Sequence, residues 1–151
     1  DSATRASSVR TETFTIEQHR IWFAHKLRAI LDGDARWYIL EERARFPVAL
    51  VRYERVRAGR PRWTGGPIAG ADGGTEVSVV VAPPARGAGL AQMALYRSEP
   101  YGRLKMPSPL IALIRPDNIA SIKPFERVGY TRVGEEERLG VALLRYEKTA
   151  E

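Results

Sequence analysis

Val79-Val80-Val81-Ala82-Pro83-Pro84-Ala85-Arg86-Gly87-Ala88-Gly89-Leu90-Ala91 is the stretch on which the reading of this chain turns. The β-branched run Glu76-Val77-Ser78-Val79-Val80-Val81 predicts a buried strand, which Pro83-Pro84 ends. From Arg86 to about Arg97, Leu90, Met93 and Ala94 recur at helical spacing. A glycine-punctuated turn therefore carries a strand directly into a helix. The free N–H groups of that helix's first turn form an anion site, assisted by the positive end of the dipole. Gly87, Ala88 and Gly89 put no large side chain in front of it, so a diphosphate can approach the backbone. Two common phosphate loops do not fit. Gly87-Ala88-Gly89 is followed by Leu90-Ala91-Gln92, so the third glycine of G-x-G-x-x-G is absent, and no G-K-[ST] follows. A tight strand-to-helix turn without any ligand is the competing reading of the same residues.

Around this stretch the composition is that of one globular domain. The chain has 151 residues, 44% hydrophobic and 28% charged, with 24 Lys+Arg against 18 Asp+Glu for a net charge of +6. That length can bury roughly two-thirds of the unfolded chain's surface, enough for a core without staples. No apolar run approaches the roughly 20 residues of a membrane span. There is no Cys, which excludes disulfides, Cys-based zinc sites and thiol chemistry, and the two His, His19 and His25, are too few for a His-rich metal centre. A cytoplasmic protein without metal or membrane is expected. The basic excess is mostly Arg, 20 of the 24, and it is spread from Arg5 to Arg145 instead of forming a stripe. Nucleic-acid binders usually concentrate their charge, so phosphate-bearing small molecules are the better expectation, Arg forks being suited to phosphate oxygens.

Along the chain, residues 1–13 read as a polar loop. Thr15-Ile16-Glu17-Gln18 has the form of a capping box, and Ile16, Phe23, Leu27 and Ile30, widened by Trp22 and Leu31, predict an amphipathic helix closed by Asp32-Gly33-Asp34. Trp37–Leu40 and Val48–Val56 read as an antiparallel hairpin. Residues 58–74 are so rich in Gly and Pro that a long connection is expected, either a plain hairpin loop or a lid. A loop holding Pro100, Gly102, Pro107 and Pro109 precedes an apolar strand, Leu110–Ile114. Pro116-Asp117-Asn118 starts a helix that runs to about Val128 and closes at Gly129. Tyr130–Val133 and Val141–Tyr146 finish the chain as strands around a polar Gly134–Gly140 turn.

Val81-x-Pro83-x-x-Arg86-Gly87-x-Gly89-x-Ala91 resembles the acetyl-CoA signature of the GNAT superfamily of N-acetyltransferases, [RQ]-x-x-G-x-[GA]. Asn118-Ile119-Ala120-Ser121 through Phe125 to Gly129-Tyr130 is similar to the family's second segment, N-x-x-[AS]-…-[YF]-x-x-x-G-[FY]. The resemblance spans residues 14–147, with 148–151 as a tail. It implies an α/β fold: a mixed, mostly antiparallel sheet flanked by helices, splayed between the Glu76–Ala82 and Leu110–Ile114 strands. Acetyl-CoA would sit in the splay as cosubstrate, its pyrophosphate on the N–H groups of Arg86, Gly87, Ala88, Gly89, Leu90 and Ala91, its pantetheine beside Val80 and Val81, with Asn118 and Phe125 contributing from the second segment. Family members place a further strand before the first helix, so residues 1–13 read equally as the remnant of a truncated first-strand region. An open sheet edge there would invite pairing with another chain, so a monomer or a homodimer is expected.

Acetyl transfer to an amine needs a base, an oxyanion donor and an exit for the thiolate. Glu76 is the candidate base; a strand-edge carboxylate paired to an Arg is the structural alternative. A backbone N–H near Val80–Ala82 would serve the oxyanion. Many family members carry a Tyr where Phe125 stands, and a phenyl ring donates no proton, so either Tyr96, Tyr101, Tyr130 or water would serve as the acid, or coenzyme A would leave as the thiolate. Lys123 and Arg127 read as a solvated helix face. Ile16 to Leu27 also resembles the I-x-x-x-H-x-x-W-F-x-x-x-L helix of the branch that acetylates nucleotide-linked amino sugars, including the pseudaminic acid pathway enzymes. His19 and Trp22, one turn apart, together with Arg52 would then line the acceptor pocket, whereas Trp22, Phe23 and Leu27 taken alone read as core. Three functions follow from the sequence: an N-acetyltransferase of a small amine, a ribosomal-protein-type N-terminal acetyltransferase, and a non-catalytic acyl-CoA-binding domain.

Overall fold

A computed structural model of the chain describes residues 1–6, 8, 13–43, 45–56 and 73–149. The Gly/Pro-rich connection expected at 58–74 lies outside the described residues except for Gly73 and Gly74. In chain order the elements are α1 (Ser2–Ala6), α2 (Ile16–Leu31), β1 (Ala35–Glu41), β2 (Pro47–Arg55), β3 (Thr75–Val81), a 3₁₀ turn (Pro83–Ala85), α3 (Leu90–Gly102), β4 (Leu110–Ile114), α4 (Ile119–Arg127), β5 (Thr131–Arg138) and β6 (Val141–Lys148). The strands form one six-stranded sheet in the order β1-β2-β3-β4-β6-β5. Every neighbouring pair is antiparallel except β3 and β4. This is the mixed, mostly antiparallel α/β sheet expected.

The two halves of the sheet meet over a very short seam. β3 and β4 pair only at Thr75↔Leu110 and Glu76↔Ile111, after which both strands run on unpaired with each other. At the closed end Thr75 N–H donates to Pro109 O at 2.9 Å and its Oγ1 to Pro107 O at 2.7 Å. Gly74, at φ +115°, permits this closeness, since a Cβ there would stand 2.7 Å from Ile111 Cδ1. The splay opens away from this end, toward the turn that precedes α3.

One face of the sheet carries the core. Side chains alternate between faces along a strand, and Val51, Tyr53, Val77, Ala112, Leu144 and Tyr146 point to the side covered by α3 and α4. Ala94 and Leu95 of α3 and Ile122 and Phe125 of α4 close over them. Gly102 lets the last turn of α3 lie on Tyr53, whose ring carbons would be 2.5–2.6 Å from any Cβ. The Tyr53 hydroxyl shares a buried hydrogen bond with Ser98 Oγ at 2.8 Å.

Several local expectations are corrected. Residues 1–13 include a short helix, α1, and the tail begins only after β6, which reaches Lys148. α3 starts at Leu90, not Arg86, and continues through Pro100 to Gly102. Pro100 lies in the last turns, and the carbonyl it leaves without a partner belongs to Tyr96, a residue 74% exposed and so within reach of water. β5 runs to Arg138, and the expected seven-residue turn shrinks to Leu139-Gly140, both left-handed at φ +51° and +74°, as a tight hairpin turn requires. Most of β5 faces solvent, so its charged run carries no alternation to read. The apolar stripe of α2 is the largest departure. The helix has its Thr15–Gln18 capping box, yet none of its residues is buried.

Candidate active site

The glycine turn is built as the sequence suggests, except that the helix starts later. Gly87 and Gly89 take φ +83° and +74°, and nothing lies within 4 Å of the Cβ either would carry. Gly89 is the residue before α3, and the first helical N–H to find a partner here is that of Met93, which donates to Gly89 O at 3.2 Å. The N–H groups of Leu90, Ala91 and Gln92 therefore point out of the helix end, unclaimed by the described residues, into open space. Arg86 contributes differently. Its Nε donates to Val81 O at 3.2 Å, and its Nη2 meets Asp1 Oδ2 at 3.0 Å and Thr4 Oγ1 at 2.8 Å. The side chain ties the turn to α1, while the anion-facing part of the loop is backbone.

The β2–β3 ladder decides which groups of β3 face the splay. Ala82 N–H donates to Val48 O, and Val56 N–H to Gly74 O, so the even-numbered residues of β3 direct their amides to β2. Val80 belongs to that set, opposite Leu50. Its backbone is thus spent on the ladder, and only its side chain can reach a ligand. The amides of Val79 and Val81 face the splay, and Val81 O already accepts from Arg86. Of the two residues expected beside the pantetheine, Val81 has its backbone amide on the splay side and Val80 has it on the β2 side.

On the face opposite the core, the predicted acceptor residues do come together, around a residue the sequence reading left in a strand without a role. Trp37 of β1 lies 6.0 Å from Trp22 and 6.3 Å from Phe23, with His19 5.5 Å from Trp22 (ring centroids). The Arg52 guanidinium stands 6.0 Å from the Trp37 ring, and its Nε donates to Ser78 Oγ at 3.0 Å. Among the described residues its Nη atoms have no hydrogen-bond partner. Ser78 and Glu76 share a side of β3, so this aromatic and cationic patch adjoins the point where the splay begins. Glu76 there forms an ion pair with Arg138, Nη1 to Oε2, at 3.0 Å. The paired carboxylate weighed against a base is therefore what the geometry contains.

A family model described as an acetyltransferase (GNAT) domain matches residues 1–131. The chain belongs to the GNAT acetyltransferases. No curated protein matches the sequence closely enough to count as a relative. Among solved structures, the fold is similar to a ribosomal-protein-alanine N-acetyltransferase from Brucella melitensis, with a TM-score of 0.70, 23% identity, and 99% of this chain and 89% of that one covered. An aminoglycoside acetyltransferase in complex with coenzyme A has a TM-score of 0.75 at 14% identity, covering 99% and 83%. A spermidine N-acetyltransferase from Vibrio cholerae in complex with CoA and spermine has 0.66 at 14%, covering 91% and 76%.

As a GNAT acetyltransferase the chain departs from the family pattern on the α4 side. Phe125 is 3% exposed and packs edge-on against Tyr130, centroids 4.9 Å apart, so its ring is core. Asn118 caps α4, its Oδ1 accepting from Ser121 N–H at 3.3 Å, which leaves only its Nδ2 for a cofactor arm. The tyrosines named as acids lie elsewhere. Tyr130 is buried, with Tyr53, Glu99 and Arg103 as its charged and polar surroundings, and burial drives its hydroxyl far above its ordinary value. Tyr96 and Tyr101 line a shallow cavity of about 360 Å³ with Arg97, Glu99, Pro100 and Lys148. α3 covers the core side of the sheet, and Glu76, the neighbour of core-facing Val77, has its side chain on the other, so that cavity and Glu76 lie on opposite sides. Among the described residues no group of three metal-ligating side chains occurs, and no helix is long and apolar enough to cross a membrane.

Proposed function

We propose that this GNAT acetyltransferase transfers the acetyl group of acetyl-CoA to the primary amine of a small molecule, an amino sugar carried on a nucleotide. The observation that carries the reading is the seam: two residue pairs, then a gap that opens onto the bare N-terminus of α3. That gap suits a pantetheine arm, and the open helix start suits the pyrophosphate. Glu76 takes the proton from the ammonium, directly or through water. The amine nitrogen then attacks the thioester carbon, the oxyanion meets a backbone N–H of Val79 or Val81, and the C–S bond breaks. Coenzyme A leaves as the thiolate, and the second proton, shed by the new amide nitrogen, passes through water to it, since neither Phe125 nor the placed tyrosines offer an acid. The acceptor end is supported by aromatic rings to stack on and by the free fork of Arg52, a combination suited to a ring bearing phosphate. The chain would act in the cytoplasm as a monomer or homodimer, without nucleic acid or membrane.

A ribosomal-protein N-terminus is the second reading, favoured by the Brucella structure and by apolar residues of α2 left open to solvent, Phe23 at 42% and Leu27 at 45%. Calorimetry with acetyl-CoA, followed by thiol release with uridine diphosphate-glucosamine, kanamycin, spermine and an alanine-initiated peptide, tests both. Turnover on the nucleotide sugar is expected. Preference for the peptide selects the second reading, preference for spermine or kanamycin removes the phosphate argument, and binding without any turnover returns a non-catalytic acyl-CoA-binding domain. No binding at all sinks the proposal.

A further inference from the structure

Glu76 is the last residue of β3 to pair with β4 before the sheet opens, and Glu54 stands directly opposite it on β2. Like charges facing one another across a ladder repel. Each is answered by a cation from a different part of the chain. Lys26 of α2 pairs with Glu54, and Arg138 at the end of β5 reaches Glu76. Arg138 thus spans from the second half of the sheet to the first, at the seam.

Arg138 is built in more firmly than neutralisation requires. Its side chain is 8% exposed, and its Nε donates to Glu136 Oε1 at 3.0 Å. Glu136 is in turn held by Arg145 Nη1 on Oε2 at 3.1 Å, and Arg145 Nη2 meets Glu147 Oε1 at 2.7 Å. The third guanidinium nitrogen, Nη2, is buried without a hydrogen-bond partner among the described residues. A solvated lysine would screen Glu76 equally well. A buried guanidinium pinned by its hydrogen bond to Glu136 fixes where the charge stands beside Glu76.

We propose that Arg138 is a positioning residue, keeping the Glu76 carboxylate ionised at the point where the splay begins. The inference rests on Glu76 being the base of the proposed reaction. Among the described groups near this carboxylate are Glu54, directly opposite on β2 and paired with Lys26 of α2, and Arg138, with Glu136 and Arg145 of the β5–β6 hairpin behind it. Arg138 Nη1 stands 3.0 Å from Glu76 Oε2, so its removal is felt directly at the carboxylate.

Two measurements separate this inference from the reading beneath it. The first needs no acceptor: ¹³C NMR titration of the whole chain labelled at glutamate carboxyls, with the Glu76 signal assigned by its loss in E76Q. In R138M the Glu76 titration moves up by about 1–3 units, and in R138K, which restores the charge, it returns toward wild type. R138Q, which keeps a polar group for Glu136, gives the same upward shift should R138M fail to fold. An unmoved titration in whichever variant folds overturns the hold of Arg138. The second is the pH profile of kcat/KM on the amine of the panel that turns over. Its acid limb moves up in R138Q by the shift seen in the titration and returns in R138K, while E76Q loses roughly 100-fold or more. A fully active E76Q overturns the base, and with it the purpose given to Arg138, even if the titration moves.

Discussion

The two faces of the sheet are closed by different means. On the α3–α4 face, alternate strand residues meet helix residues in a dry cluster in which Val51, Val77, Leu95 and Leu110 are 1–2% exposed. On the α2 face, the covering helix buries none of its residues, and the sheet beneath it carries Trp37, Arg52, Glu54, Glu76 and Ser78. Neighbouring residues of a single strand divide between these roles: Val77 belongs to the core and Glu76 to the ionic chain. The period of two in a strand lets one short segment carry both stability and chemistry, because each task takes its own side. Substitutions on the first face should therefore cost folding, and on the second, turnover.

The largest break in that contrast would come from Leu95→Ala. Leu95 is 1% exposed at the centre of the α3–sheet contact, so truncation should cost about 2–5 kcal/mol of unfolding free energy. Urea unfolding reads the loss, and the KM for acetyl-CoA of the folded fraction should not change. A cost well under 1 kcal/mol would mean that α3 is held by its loop end and not by the core.

Next in size is an alkaline effect confined to the same face. Burial pushes the Tyr53 hydroxyl up to about 12 from 10.0, against the smaller lowering by its Ser98 hydrogen bond. In the unfolded chain the group loses its proton near pH 10, while the folded protein keeps it to about pH 12, so stability is intact below pH 10 and falls as pH rises through that window. A two-unit shift corresponds to roughly 3 kcal/mol. Tyr53→Phe should remove this share of the slope in denaturation series from pH 9 to 12. A slope identical in the variant would place the alkaline sensitivity elsewhere, with Tyr130 the next group to replace.

How much of this was legible beforehand follows from the range of each interaction. The strand–turn–helix from Glu76 onward and the Asn118 helix start were readable because local chemistry specifies them: β-branched residues, prolines, left-handed glycines, a capping side chain. The hairpin of β1 and β2 was readable from alternation. β5 was not, since a strand exposed along most of its length has no apolar side to mark it. The stripe on α2 was readable as a stripe, but periodicity states which residues share a side and not whether anything covers them. Trp37 could have been flagged, with Tyr38, as an aromatic pair in the strand that follows the acceptor helix. The Arg138–Glu76 pair left no local trace, because it depends on how a hairpin near the end of the chain lies over a strand in the middle.

A smaller effect is expected at the turn joining the two roles. Gly89→Val places a side chain where Gly89 has open space and φ +74°, a conformation L-residues adopt at a cost of about 1–2 kcal/mol. The same side chain stands before the free N–H groups of α3. Acetyl-CoA binding should weaken roughly 10- to 100-fold by calorimetry, on the scale of one charge-assisted hydrogen bond. Equal affinity would show that the diphosphate does not sit on this loop.

The smallest expected change in stability is the sharpest test of the comparison. Phe23 looks from the sequence like a core residue, yet it is 42% exposed, stacked beside His19 at 6.4 Å and tilted against Trp37. Phe and Ser differ little in helix propensity, so Phe23→Ser removes ring contacts without disturbing α2 itself. If the α2 face is a working surface, the unfolding free energy should move by no more than about 1 kcal/mol, as for other half-exposed positions. The KM for the acceptor amine should rise while that for acetyl-CoA stays the same, since the ring borders the acceptor patch and not the α3 turn. A loss approaching that of Leu95→Ala would mean that this face is a second core, and the aromatic residues around Trp37 would then be packing that happens to lie near a splay.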